Sequence, residues 1–268
     1  HIIAAPRQQI VDMTNNSTDP LEFTVGGTVY PDWLSVNTTP GTTDMRTAIF
    51  CAEASLTGGG SIKGVGSTYL ISSSLTINSD IILDLLTKGS KIQDDAGNAA
   101  LTINGTIEAG FYQIFDWGNG TGSLSINNNT VNPAWFGAHP DATATVNDAA
   151  FAESVDALSD YGSWELPEGQ YSTDLPITFS ALNSMKITFI GRISASTDGL
   201  VFDAISLSLI TGINLINSAG VDWESGFFGV KFQGSTSGFS NNTVFITNIQ
   251  AFEKGMYLLS TATKSVIY

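Results

Sequence analysis

The chain has 268 residues, of which 42% are hydrophobic and only 13% are charged, so it can bury a sizeable core without a disulfide or a metal. Its formal net charge of −15 disfavours nucleic acid and anionic membrane surfaces as partners, since both reward clustered Lys and Arg. No run approaches the roughly 18 apolar residues of a membrane span, so membrane insertion is not expected. Cys51 is the only cysteine, which excludes a disulfide within one chain and favours a buried role.

The first quarter of the chain divides into an arm and the start of a β unit. Residues 1–30 are broken by Pro and Asn, and they predict an N-terminal arm or small attachment element in which residues 23–29 can form a strand. Two alternatives stay open for this arm, which are packing against another chain and a loosely ordered lead-in. From residue 31 a first helix-capped β unit is predicted to run to residue 117, with its helix at roughly residues 43–55.

Short apolar runs punctuated by Asn, Asp and Gly follow this helix. The strand-like runs are residues 61–63, 69–71, 74–77, 81–83 and 100–103. Strands this short, with frequent turns and no helices between them, predict a solenoid whose coils stack in parallel. The polar stretch 118–132 is rich in Gly and Asn, and it predicts a linker and domain boundary.

The second unit, residues 133–268, is predicted to open with another short helix. Asn147 or Asp148 can cap this helix, and Tyr161-Gly162 ends it. Its apolar face comprises Ala150, Phe151, Val155 and Leu158. Further strand-like runs are residues 186–190, 200–202, 207–216, 230–232, 244–249, 256–259 and 265–268.

Comparable strands of the second unit recur at short intervals. Val244 and Val266 open two such strands (266 − 244 = 22), and Ile187 and Leu207 lie in two others (207 − 187 = 20). These intervals are at the short end of known repeat periods and match β-helix coils. Because the sequence stops within a strand, we expect further coils or a covering partner beyond residue 268.

The two units repeat one layout at a constant offset. Three anchor pairs lie 102 positions apart (135 − 33 for the first): Trp33 and Trp135, Ile49 and Phe151, and Tyr69 and Tyr171. A fixed offset across a turn, a helix and a strand predicts an internal duplication of one supersecondary unit. The alternative is two unrelated segments in coincidental register.

The stretch PAWFGAHPDATATVNDAAFAESVDAL…GSWELPEGQY resembles the opening segment of the pectate-lyase-like right-handed β-helix superfamily. The matching positions are Trp135, Phe136, Gly137, Ala138, Asp141, Ala149, Ala150, Pro167, Gly169 and Tyr171, and residues 249–256 resemble a recurrent coil sequence of the same superfamily. The chain departs from the pattern at Val146 and Asn147, where acidic residues are usual, and at His139-Pro140, where a basic-glycine pair is usual. These departures weaken any transfer of loop function.

The resemblance implies a mainly β fold, a right-handed parallel β-helix with two short capping helices, over about residues 30 to 268. Within the superfamily the chain is most similar to bacteriophage tailspikes. That likeness implies an extracellular homotrimer of the virion tail that binds, and often cleaves, bacterial surface polysaccharide, with its N-terminal region attached to other tail proteins. Two alternatives remain, which are a non-catalytic trimeric stem or receptor-binding module and a secreted pectinase-like enzyme.

Glycan hydrolysis requires two carboxylates flanking the scissile bond, about 5–5.5 Å apart for retention or 6.5–9.5 Å for inversion. The excursion at residues 217–228 is the best local candidate, because it offers two acids on either side of an aromatic residue. These acids, Asp222 and Glu224, are the predicted catalytic residues. Trp223 and Phe227 are predicted to stack on a sugar. The alternative is that these acids are solvated and that the aromatic residues, Phe228 included, pack a coil edge or a subunit contact. Asp203 and Glu253 are further acids in the coil region.

Other chemistries fit the sequence less well, and no cofactor or metal is predicted. A uronate lyase needs clustered cations, whereas the five of residues 172–268 are dispersed: Lys186, Arg192, Lys231, Lys254 and Lys264. The adjacent acids Asp94-Asp95 are more typical of a turn than of a calcium site. His1 and His139 cannot supply the histidine cluster of a zinc site.

Overall fold

A computed structural model describes residues 26–94, 99–117, 122–127, 130–218, 227–233, 239–258 and 265–268. The chain divides into two compact units, His1–Asn129 and Thr130–Tyr268. Each unit consists of short parallel strands that stack into a β-solenoid, together with one short α-helix. The predicted fold, a mainly β parallel solenoid with two short helices, is therefore confirmed.

The first unit is a three-faced solenoid. Its strands are β1 (Gly27–Val29), β2 (Gly60–Lys63), β3 (Thr68–Ile71), β4 (Leu75–Ile77), β5 (Ile81–Asp84), β6 (Lys91–Asp94), β7 (Ala100–Ile103), β8 (Thr106–Glu108), β9 (Phe115–Asp116) and β10 (Ser123–Ile126); its helices are the 3-10 helix η1 (Pro31–Trp33) and α1 (Arg46–Ser55). The strands form three parallel sheets in the orders β1-β2-β5-β8, β3-β6-β9 and β4-β7-β10. From β2 onward, successive strands enter successive sheets, so every three strands complete one turn.

The second unit follows the same plan. Its strands are β11 (Thr130–Val131), β12 (Ser163–Leu166), β13 (Gln170–Thr173), β14 (Ile177–Ser180), β15 (Lys186–Phe189), β16 (Arg192–Ala195), β17 (Leu200–Asp203), β18 (Leu209–Asn217), β19 (Phe228–Gln233), β20 (Thr243–Gln250), β21 (Lys254–Leu258) and β22 (Val266–Ile267); its helices are η2 (Pro133–Phe136) and α2 (Ala144–Asp156). The long strand β18 bends across two faces, pairing with β15 through its first half and with β16 through its second. The third face is the sheet β14-β17-β19-β21.

An aromatic stack fills the interior of the second unit. Register pairing places Phe179, Phe202 and Phe232 at the same position of three successive strands, and all three are fully buried. Their ring centroids are 5.3 and 5.5 Å apart, with interplanar angles of 11° and 14°. Such offset-stacked rings join neighbouring turns by more than the burial of their area.

The duplication is visible in the strand pairing. Val29 pairs with Ile62 in the first unit, and Val131 pairs with Trp164 in the second, so both partners keep the offset of 102. The offset changes in the next turn, where Leu83 pairs with Ile62 but Ile187 pairs with Trp164. The repeat therefore covers the helix and the first full turn, after which the loop lengths of the two units differ.

Each α-helix covers the first full turn of its own unit. α1 packs on η1 and strands β2 to β4, and α2 packs on η2, β13 and β14. Phe151 of α2 is buried, with its ring 6.3 Å from the Trp164 ring and 5.9 Å from the Tyr171 ring. No helix among the described residues combines the length and the apolar character that a membrane crossing requires.

The predicted start and end of α2 were wrong. Thr143 is the N-cap, and its hydroxyl accepts the Val146 N–H at 3.4 Å. Asn147 lies one turn into the helix and is buried, where its amide oxygen accepts the His139 N–H at 3.0 Å and its amide nitrogen donates to the Ser172 carbonyl at 3.0 Å. Asn is therefore explained at this position by a buried amide whose oxygen and nitrogen both have partners, and not by helix capping. The helix ends at Asp156, before Tyr161.

Two boundary predictions also need correction. The stretch 118–132 is not only a linker, because β10 pairs with β7 to complete the first unit and β11 pairs with β12 to begin the second. Leu124 and Ile126 are buried and alternate with serines, a strand pattern that the surrounding Gly and Asn concealed. The first unit likewise extends to β1, within the stretch assigned to the arm.

Candidate functional site

The predicted catalytic residues fall in a segment that separates β18 from β19. Asp222, Trp223 and Glu224 lie outside the described residues. Phe227 is described: it is half-buried, and its carbonyl accepts the Lys254 N–H at 3.3 Å. Phe227, which follows the segment that holds the predicted acids, therefore lies beside Lys254, the first residue of β21.

At this return point two lysines and two aromatic rings come together, which we call the Lys–aromatic patch and define as Phe228, Lys231, Lys254 and Tyr257. The parallel register of β19 and β21 places Phe228 beside Lys254 and Lys231 beside Tyr257. The two rings are 4.7 Å apart at 41°. Lys254 is exposed, and the other three side chains are half-buried, so the patch faces solvent.

Both ammonium groups of the patch lie over an aromatic ring. The Lys254 nitrogen is 4.9 Å from the centroid of Phe228 and 6.0 Å from that of Tyr257, and the Lys231 nitrogen is 6.0 Å from the centroid of Phe228. A cation within about 6 Å of a ring centroid is attracted by the quadrupole of the ring. The rings therefore hold two positive charges in place on a chain whose net charge is −15.

Asp198 anchors the strand that carries the patch. Its carboxylate accepts the Phe228 N–H at 2.7 Å, and it is half-buried beside the start of β19. The sequence interpretation missed Asp198, because its carboxylate approaches Phe228 only through the stacking of β17 on β19. It adds a carboxylate to the edge where the predicted catalytic segment ends.

The other predicted acids do not form a pair at the patch. Asp203 ends β17, whereas Glu253 precedes β21, and the strand β19 separates β17 from β21 in the sheet. Asp94 is buried at the end of β6, where its carboxylate accepts the Ala99 N–H at 3.4 Å, and Asp95 lies outside the described residues. Within the described ranges, no three His, Cys, Asp or Glu side chains converge to hold a metal ion.

A concave region lies between α2 and the strand β14. This groove has a volume of about 320 Å³, and its lining includes Asp148, Asp156, Leu175 and Thr178. Burial raises the pKa of the Asp148 carboxyl, although the carboxylate accepts the Asp174 N–H at 3.1 Å. Asp148 and Asp156 are eight residues apart on one helix, which corresponds to about 12 Å of rise, so they are too distant for the carboxylate pair of a glycosidase.

The comparisons with known proteins gave no relative: no family model, no curated protein and no solved structure matches the chain. The solenoid fold rests on the parallel register described above.

Proposed function

We propose that this β-solenoid binds and depolymerises bacterial surface polysaccharide in the manner of a bacteriophage tailspike. The observation that supports the proposal is the Lys–aromatic patch, which combines ring faces with hydrogen-bond donors on the outer surface of a solenoid. Sugar-binding surfaces need this combination, since a pyranose presents both an apolar face and polar hydroxyls. The patch also follows directly on the segment that holds Asp222 and Glu224.

In this proposal the patch positions the polysaccharide and the neighbouring segment carries the chemistry. Phe228 and Tyr257 pack against sugar rings, together with Trp223 and Phe227. One of Asp222 and Glu224 protonates the leaving oxygen, while the other acts as base or nucleophile. The role of the solenoid is to keep the binding rings and the catalytic segment on one surface.

The proposal includes a homotrimer in an extracellular virion tail, attached to other tail proteins through the N-terminal region. One face of the second unit supports such an assembly, because exposed apolar side chains cluster on it beside the polar Lys186 and Thr243. Leu209 and Val266 both pair with Thr243 and are 38% and 47% exposed. Phe245 and Tyr268 stack beside them at 4.9 Å, with 43% and 69% exposure.

The same apolar face favours the second candidate function, a non-catalytic trimeric stem or receptor-binding module. Such a module needs a large subunit contact but no carboxylate pair. The two candidates agree on the assembly and differ on catalysis, so one preparation can separate them.

The test measures the subunit mass in solution and the release of reducing ends from a panel of bacterial surface polysaccharides. A trimer that releases reducing ends supports the depolymerase, and Asp222→Asn and Glu224→Gln should each lower the rate by about 100-fold or more. Glu168→Gln removes an exposed acid from another loop and should leave the rate unchanged. A trimer that degrades no polysaccharide favours the stem, and a monomer contradicts the tailspike assembly.

A further inference from the structure

We infer that Lys231 and Lys254 make the Lys–aromatic patch selective for acidic sugars, those that carry a carboxylate. This inference rests on the proposed function, and it adds the chemical class of the glycan. Its starting point is that Lys231 and Lys254 have different surroundings from Lys63 and Lys91 of the first unit.

Two lysines of the first unit, Lys63 and Lys91, form ion pairs with aspartates of the next turn. Lys63 pairs with Asp84 at 2.7 Å, and Lys91 pairs with Asp116 at 2.7 Å. Both pairs join adjacent strands of one sheet, where such contacts are an ordinary means of tying turns together. The charge of each of these two lysines is compensated by a carboxylate before any ligand arrives.

Lys231 and Lys254 also sit on adjacent strands of one sheet, but they meet rings instead of carboxylates. Within the described part of the chain, neither nitrogen has a carboxylate oxygen within 4.0 Å. An ammonium over a ring keeps its three N–H donors, because the ring attracts the charge without taking a strong hydrogen bond. The patch thus presents two cations that can still accept an anionic partner.

Both cations lie close to one ring. The two nitrogens lie 4.9 and 6.0 Å from the Phe228 ring centroid, so the distance between them cannot exceed the sum of these two lengths. The Lys254 nitrogen is also 6.0 Å from the Tyr257 centroid, so a saccharide packed on the Tyr257 ring would place an attached carboxylate near Lys254. The aromatic ring favours a sugar over an acidic peptide as the ligand. The flat apolar face of a sugar can pack on the apolar face of the aromatic ring.

The charge of the whole chain makes the lysines necessary for such a ligand. A protein of net charge −15 repels polyanions at long range, so an acidic glycan is held only where local positive charge outweighs that field. A neutral glycan meets no such barrier and needs no lysine.

The experiment measures the affinity of the whole chain for oligosaccharides of polysialic acid and of hyaluronan, for their carboxyl-reduced forms, and for neutral dextran oligosaccharides. Lys231→Gln and Lys254→Gln keep most of the length of the side chain and remove its charge. Each should weaken binding of an acidic oligosaccharide by about 5-fold or more, which is the expected range for a charge-assisted contact at a partly exposed site. Lys186→Gln, an exposed lysine on β15, is the matched control and should bind as the parent does.

Selective binding of an acidic oligosaccharide, lost both by carboxyl reduction and in the two lysine variants, would establish the inference. Equal binding of the acidic and reduced forms, with both lysine variants unchanged, would overturn it and leave the proposed glycan-binding function standing. Equal binding of an oligoglutamate probe would also overturn it, because the patch would then recognise anions without regard to sugar. If no saccharide of either kind binds, the proposed function itself fails.

Discussion

Replacement of Phe202 by alanine tests whether the aromatic stack holds the turns of the second unit together. Phe202 is fully buried between the rings of Phe179 and Phe232, at 5.3 and 5.5 Å. Phe→Ala in a core costs about 3–5 kcal/mol, and here two ring contacts are lost at once, so we expect the upper part of that range, about 4–5 kcal/mol. Because a solenoid couples each turn chiefly to its neighbours, the loss should fall on the turns that contain Phe179, Phe202 and Phe232.

The assay is denaturant unfolding followed by circular dichroism. Phe245→Ala is the matched control, since Phe245 stacks on Tyr268 at 4.9 Å and 10° but is 43% exposed. The control separates ring stacking from burial, and it should cost less than about 1 kcal/mol. Phe202→Leu gives an intermediate loss and keeps the test informative if Phe202→Ala does not fold. Equal effects of Phe202→Ala and Phe245→Ala would refute the assignment of the stack to the core.

Three further predictions concern backbone contact, pH and the capping helices. Gly105→Ala would place its Cβ 2.1 Å from a carbonyl oxygen of β5 and should lower the free energy of unfolding by about 2 kcal/mol, as measured by denaturant unfolding. Gly255→Ala should change it little, because the nearest atom to that Cβ lies at 3.8 Å. Equal losses in the two variants would contradict the close approach at Gly105. Burial raises the folded-state pKa of Asp148, so its stabilising effect is present below the unfolded pKa of about 4 and is lost as pH rises through the folded pKa. Asp148→Asn should therefore unfold at higher denaturant concentration than the parent at pH 7, and a gap that persists below about pH 4 would argue against this origin. Ile49→Asp and Phe151→Asp each bury an unpaired charge and should lower the melting temperature through a loss of several kcal/mol, so unchanged melting of both would contradict the two capping helices.

The helix and first turn of each unit could be predicted from sequence because their anchors are large and regularly placed. Trp33 and Trp135 are both buried in 3-10 helices, and Tyr69 and Tyr171 are both buried on equivalent strands. Large apolar residues at a constant offset remain visible even where the rest of a repeat has diverged. The strand β16 was missed for the opposite reason, since Ile193 is its only large apolar residue.

The turn length was predicted slightly too short, with a consequence for the candidate site. Ile187 pairs with Ile210, so the numbering advances by 210 − 187 = 23 over one turn of the second unit, slightly more than the intervals between comparable strands had suggested. From β19 to β21 the numbering advances by 254 − 228 = 26, which places Lys254 beside Phe228, and Lys231 of β19 lies over the same ring, so residues that look dispersed along the sequence meet at one ring. In a solenoid, side chains that share a site are separated by about one period, so clusters of residues close in sequence are the wrong pattern to search for.

The predicted catalytic segment lies in a stretch of additional residues between two strands of the solenoid. The numbering advances by 232 − 202 = 30 from Phe202 to Phe232 but only by 202 − 179 = 23 from Phe179 to Phe202, yet the stacking distances are 5.5 and 5.3 Å. The additional residues between β18 and β19 therefore leave the stacking of the core unchanged. A segment that the core does not need can vary in sequence without loss of the fold, which is the usual setting for binding and catalytic residues on a rigid scaffold. Asp222 and Glu224 fall in this segment, and the Lys–aromatic patch begins where it rejoins the sheet, so removal of the segment should abolish glycan cleavage while the unfolding midpoint stays close to that of the parent.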